Sequence, residues 1–168
     1  MNDTILQQAI ETGRFGNHPF HWYESIDSTN LCAMEMARNG AQEQTVVMAQ
    51  SQSHGRGRLG RAWVSPSGQG LYVSIILRPQ LAPEHLSQMT LVAGVAACRA
   101  IDIEAGISTM IKWPNDVLVD GKKIAGILSE STGLSPQVKT AVVLGIGINV
   151  DIPQEAFPQE LQSKAASI

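Results

Sequence analysis

The chain has 168 residues, with 12 Lys and Arg against 15 Asp and Glu, and a net charge of −3. That is one domain's worth of chain with a core to bury, and its acidity argues against nucleic acid, whose binding domains are strongly basic. Its apolar runs are too short to span a bilayer, Met1-Asn2-Asp3-Thr4 lacks the basic region of a signal peptide, and Cys32 and Cys98 sit in apolar helical patterns with no metal spacing; the reading is a cytoplasmic protein with buried, reduced thiols.

Asp3 caps a helix over residues 4–11 that stops at Gly13. Residues 20–26 alternate apolar and polar side chains as a strand, interrupted by Glu24. Asp27 or Ser28 then caps a helix over residues 29–38, with Leu31, Cys32, Met34 and Met36 as its apolar side and Asn39-Gly40 as its stop. On its own, Asp27-Ser28-Thr29-Asn30 is a helix start, although the free N–H groups there also suit a polar ligand.

A buried strand over residues 45–49 feeds the stretch from Gln50 to Trp63, where Arg56, Arg58 and Arg61 alternate with Gly55, Gly57 and Gly60. Glycine permits positive φ and lets backbone N–H groups approach a ligand. Arginine offers a planar fork for carboxylate or phosphate. Two readings stay open: a solvated basic loop, or an anion-binding loop that orders when its ligand arrives. It is not a Walker A loop, because no Gly-Lys-Ser/Thr follows, and it lacks the Rossmann spacing. His54 reads as an exposed loop residue and Trp63 as an anchor beneath the loop.

Residues 65–70 are a turn-rich return to a strand over residues 71–77, ended by Arg78-Pro79. Pro83 opens a helix over residues 84–101, with Leu86, Met89, Leu91, Val92, Val95, Ala96 and Cys98 as core candidates. A strand over residues 109–113 breaks at Pro114-Asn115. Asp120-Gly121 then joins residues 117–119 to residues 122–129 as a two-residue hairpin. In that register Leu118 faces Lys123, so Asp116, Leu118 and Lys123 share one face and bring a carboxylate near an ammonium. This is either an exposed pair of little worth or part of a site. The apolar run 138–148 is a strand whose Gly145 and Gly147 allow close backbone approach, ending at Asn149. A helix begins near Gln159. The reading is one α/β domain of the α+β type over 1–168, with a mixed, largely antiparallel sheet and helices packed mainly on one face; strand order stays open.

Four stretches in order, Asp27-Ser28-Thr29-Asn30, the glycine–arginine loop, Lys112-Trp113-Pro114-Asn115-Asp116 and Lys123-Ile124-Ala125-Gly126, resemble the signatures of the biotin protein ligases. The resemblance runs over about residues 25–150. It implies a class II synthetase-like, biotin–lipoate ligase-like fold. It also implies a chain resembling the class with no N-terminal helix-turn-helix, and lacking the small C-terminal β-barrel. The implied reaction uses ATP and Mg²⁺ to convert biotin to biotinyl-5′-AMP, then transfers biotin to a lysine of the biotin carboxyl carrier protein of acetyl-CoA carboxylase. No nucleic acid or membrane partner is implied, and a homodimer is compatible.

By the same resemblance Ser28, Thr29, Asn30, Gln52, Arg56, Gly57, Arg58 and Lys123 bind biotin, and Arg56, Arg58, Lys112, Asn115 and Asn149 bind the nucleotide. Lys123, Arg58, Asp116 and Lys112 carry the chemistry, with Asp116 helping to place Mg²⁺. Two alternatives remain: a lipoate or octanoate ligase or transferase of the same fold, and a non-catalytic module that holds biotin or its adenylate.

Overall fold

A computed structural model describes residues 18–133 and 140–168; the helix expected over residues 4–11 lies outside them. The described strands are β1 (Phe20–Tyr23), β2 (Val46–Ala49), β3 (Gly70–Leu77), β4 (Met110–Lys112), β5 (Asp116–Val119), β6 (Lys122–Ser131) and β7 (Val142–Asn149). The α-helices are α1 (Thr29–Arg38) and α2 (Gln88–Ala105). The strands form one mixed sheet in the order β1-β2-β3-β7-β6-β5-β4. Only β1 and β2 run parallel; every other neighbouring pair is antiparallel.

The mixed, largely antiparallel sheet is as expected, but the helices divide between its two faces. Side chains alternate across a strand, and β7 shows the consequence. Val143 packs with Val47, Ile76 and the α1 residues Ala33, Met34 and Ala37. Its neighbour Leu144 packs with Ala125, Ile127 and the α2 residues Ala93, Ala97, Cys98 and Ile101. The sequence expectation of helices on one face is therefore corrected.

The second helix also starts later than residue 84. Pro83–His85 forms a separate 3₁₀ turn, and α2 ends at Gly106, whose φ of 66° suits glycine. Its inward face differs from most of the one expected: Cys98 is buried as expected, but Leu91, Val92, Val95 and Ala96 are exposed, and Ala93, Gly94, Ala97 and Ile101 are buried in their place. The helix is apolar nearly all round, so periodicity alone offers two stripes. The small-residue stripe faces the sheet, where a Cβ added at Gly94 would lie 3.8 Å from Ile111 Cδ1. No helix among the described residues is long and apolar enough to cross a membrane.

The hairpin between β5 and β6 turns at Asp120 and Gly121, whose φ values of 49° and 78° are both positive as a type I′ turn requires. Val119 pairs with Lys122 and Leu118 with Lys123, as the sequence predicts. The register then shifts, so that Val117 pairs with Ala125 and Asp116 with Gly126. Past Asn149 the chain makes turns over residues 159–164, not the helix expected near Gln159. It comes back beside β6, where Lys123 N–H donates to Lys164 O (2.8 Å) and Ala166 N–H donates to Lys123 O (3.0 Å).

Candidate active site

The site forms where the start of α1, the arginine loop and the β6–β7 ladder meet. Ser28 takes the N-cap position of α1, but its hydroxyl makes no capping bond. Gln52 caps the helix from a distance instead: its Oε1 accepts from Thr29 N–H at 2.9 Å and lies 3.1 Å from Thr29 Oγ1. Its Nε2 donates to Ser65 Oγ at 2.8 Å. Gln52 therefore ties the loop to the helix. Ser28 is 1% exposed, and its Oγ has no hydrogen-bond partner among the described residues. A buried polar group without a partner costs about 1–3 kcal/mol, so this hydroxyl marks the cleft wall as a place for a polar ligand group.

Asn30 continues the same wall. Its Oδ1 accepts from Ser74 Oγ at 2.6 Å, and Ser74 Oγ also lies 2.9 Å from Thr29 Oγ1. A Cβ at Gly145 would collide with Asn30, so glycine there makes room for the amide. Asn30 Nδ2 donates to Glu130 Oε2 at 3.0 Å.

The arginine loop is a small hairpin. Trp63 N–H donates to Gly55 O (2.8 Å), Gly57 N–H to Arg61 O (2.7 Å), and Arg56 bridges Ala62. Leu59 and Gly60 turn the tip with φ of 58° and 73°. Arg58 sits in that tip, exposed. Trp63 anchors the hairpin from beneath, as the sequence suggests, by lying on backbone: Gly126 and Gly147 are cross-strand partners, and a Cβ at Gly147 would lie 2.5 Å from the indole Nε1. That Nε1 is likewise buried without a partner among the described residues.

Lys123 extends over the same ring, its Nζ 5.2 Å from the Trp63 centroid, and pairs with Asp116 Oδ1 at 2.6 Å. Ser28, Thr29, Asn30, Gln52, Arg56, Gly57, Arg58, Trp63, Asn115 and Lys123 line one cleft. Asn115 Nδ2 donates to Ile127 O at 3.1 Å. Lys112 is the exposed cross-strand partner of Asp116 and does not line the cleft. Asn149 does not line it either: it is buried, and its amide donates to Ala166 O at 2.9 Å. No group of three or more His, Cys, Asp or Glu among the described residues is placed to hold a metal.

The cleft encloses about 40 Å³, room for a few waters. A wider groove of about 570 Å³ runs beside Trp113, Pro114, Ser129 and Ser131, and Arg58 borders both spaces.

The model of the biotin/lipoate A/B protein ligase family matches residues 22–149. The chain belongs to that family. The bifunctional ligase/repressor BirA of Bacillus spizizenii is 41% identical over 168 residues, which is 100% of this chain and 51% of that protein. The biotin–[acetyl-CoA-carboxylase] ligase of Paracoccus denitrificans is 44% identical over 126 residues, 74% of this chain and 51% of that one. The biotin protein ligase from Aquifex aeolicus, solved in complex with biotin and ATP, superposes with a TM-score of 0.74 at 36% identity, covering 89% of this chain and 59% of that one. The chain spans about half the length of the curated relatives it matches.

Within this biotin/lipoate ligase-family domain, sequence reasoning overlooked Ser65, Ser74 and Glu130. Ser74 had a readable signal, a hydroxyl in the middle of the apolar strand Gly70–Leu77. Glu130 had a similar one, an acid near the end of the β6 run. Their partners lie 44 and 100 residues away in sequence, beyond any local pattern.

Proposed function

We propose that this chain carries the catalytic domain of an ATP-dependent biotin protein ligase. The observation that carries the reading is the polarity of one cleft. A Ser28 hydroxyl that is buried without a partner among the described residues stands beside Asn30, and Arg56, Arg58 and Lys123 line the same cleft. Biotin has matching groups, a ureido head that hydrogen-bonds and a carboxylate that needs cations. A lipoyl head has only sulfur and carbon to offer Ser28 and Asn30, which favours biotin over lipoate.

In the first step a carboxylate oxygen of biotin attacks the α-phosphate of ATP. The bond to the β-phosphate breaks, pyrophosphate leaves, and biotinyl-5′-AMP remains. Two anions must meet, so positive groups fixed in advance where charge develops give the largest help. Lys123 fills that role, held by Asp116 and by the Trp63 face. Arg56 and Arg58 supply the remaining cations. In the second step a carrier lysine amine attacks the anhydride carbonyl, AMP leaves, and the amide forms on the biotin carboxyl carrier protein of acetyl-CoA carboxylase.

Mg²⁺ binds through one or two carboxylates plus phosphate oxygens. Asp116 offers one such carboxylate, whose Oδ1 already pairs with Lys123, and its other oxygen would hold a metal delivered with ATP, which would shield phosphate charge. Lys112, across from Asp116 on β4, and Asn115, the residue before it, would serve the nucleotide from the same hairpin. Asn149 contributes by fixing the chain near Ala166. Two free thiols suit a reducing cytoplasm.

The test is mass spectrometry of the protein incubated with ATP, Mg²⁺, an acceptor domain, and either biotin or lipoate. A biotin mass increment on the acceptor is expected. Lipoate transfer in its place would move the assignment to the lipoate branch, and adenylate binding without pyrophosphate release would make the domain a binding module.

A further inference from the structure

Glu130 stands on β6, on the face that carries the cleft, with its side chain 24% exposed. Its two oxygens reach two different elements. Oε1 lies 3.0 Å from Arg56 Nη2 of the arginine hairpin. Oε2 accepts from Asn30 Nδ2, at the start of α1, also at 3.0 Å. Asn30 is itself fixed by Ser74 and by the glycine floor at Gly145. One carboxylate thus joins the arginine hairpin to the start of α1.

We propose that Glu130 is a positioning residue for Arg56. It grips the guanidinium by one nitrogen, leaves the other N–H donors for the substrate carboxylate, and ties the hairpin to Asn30 at the start of α1. The proposal rests on the reading of Arg56 as the partner of that carboxylate. Three physical points carry it. A guanidinium has five donors in a rigid fork, so one anchor orients the rest. Arg56 is 40% exposed, so without an anchor its long side chain samples many rotamers and must be ordered when substrate binds. An ion pair this exposed contributes little to the stability of the fold, so its effect belongs to binding and to the hairpin.

A negative partner could act in the opposite sense, by competing with the substrate for Arg56. The two senses give opposite signs. If Glu130 positions Arg56, Glu130→Ala weakens biotin binding by about tenfold, the scale of one charge-assisted hydrogen bond. If Glu130 competes, the same variant tightens it.

The experiment has two arms. Hydrogen exchange is measured across residues 52–63 of the protein alone in wild type, Glu130→Ala and the near-isosteric Glu130→Gln. Calorimetry then measures biotin affinity in the same proteins and in Arg56→Ala with and without the Glu130 change. Expected are faster exchange confined to the hairpin, a melting temperature within a few degrees of wild type, and weaker biotin binding. The intermediate effect falls to Glu130→Gln, which keeps an acceptor for Arg56 but turns a donor toward Asn30. In the Arg56→Ala background the Glu130 change should cost little more, the non-additivity of residues acting as one unit. Unchanged exchange in both variants overturns the proposal, and so does tighter biotin binding. Should wild type bind no biotin at all, the biotin reading fails, and the exchange arm still decides whether Glu130 holds the hairpin.

Discussion

Lys123 Nζ lies 2.6 Å from Asp116 Oδ1, joining neighbouring strands across a break in their register. Both side chains remain partly exposed, at 31% and 26%, so the pair contributes about 0–1 kcal/mol to the fold. Its position, with the ammonium over the Trp63 ring in a cleft that Arg56 and Arg58 also line, points to chemistry. Lys123→Ala should therefore melt near wild type yet form biotinyl-AMP about 10²-fold more slowly, the usual cost of losing a preorganised donor. Pyrophosphate release measures it, and a near wild-type rate would remove Lys123 from the first step.

Asp116→Asn separates two roles of that carboxylate. If Asp116 helps place Mg²⁺, the variant should shift the Mg²⁺ dependence of adenylate formation to higher metal concentration and leave biotin binding nearly intact. If it only orients Lys123, the metal titration stays in place and the rate falls at every Mg²⁺ concentration.

Closure of the hairpin is measurable by hydrogen exchange over residues 52–68. The segment carries few apolar anchors apart from Trp63, and ordering a backbone costs about 1–2 kcal/mol per residue. Protection should rise strongly with the adenylate and less with biotin alone, which has no phosphate for Arg58. Arg58→Ala should reduce that protection and speed escape of the adenylate to solvent. Equal protection with and without the adenylate would mean a preformed hairpin.

The glycine floor under Trp63 makes a steric prediction. In Gly147→Ala the new Cβ would stand 2.5 Å from the indole, so the ring must leave the sheet. The cost should be about 1–3 kcal/mol of stability. Trp63 emission, read in a Trp22→Phe, Trp113→Phe background, should shift to the red as the ring meets water. Unshifted emission would show that the ring keeps its place.

Tyr72 sets the behaviour in alkali. It is 1% exposed, donates to Pro66 O, and burial pushes its phenol from 10 up to about 12. The folded protein then holds the phenolic proton more tightly than the unfolded chain does. The stability this gives is complete below about pH 10 and is lost as pH rises from there toward 12, by about 1–3 kcal/mol. Tyr72→Phe should flatten the denaturation midpoint over that window, and an equally steep fall in the variant would assign it elsewhere.

Local chemistry was legible where one segment decides its own shape. The helix Thr29–Arg38 was bounded correctly by Ser28 and Asn39-Gly40, and Asp120-Gly121 announced both the hairpin and the meeting of Lys123 with Asp116. What the sequence hid depends on distant partners. The register shift opposite Ile124 has no local signal, because Ile124 reads as an ordinary strand residue. The buried side of α2 was misread because two apolar stripes compete and only the sheet chooses between them. Glycine recurring in β7 suggested a close approach, but nothing nearby named Trp63 as the group that approaches.

The bonding of Lys123 to Lys164 and Ala166 reaches beyond the folded site. During synthesis the ribosome delivers every described strand of the sheet by Asn149, and residues 164–166 only afterwards. A nascent chain therefore passes through a stage with the sheet assembled and the main chain of Lys123 unframed on one side. The backbone frame of Lys123 is therefore completed from outside the sheet, by residues that lie some 40 positions further along the chain.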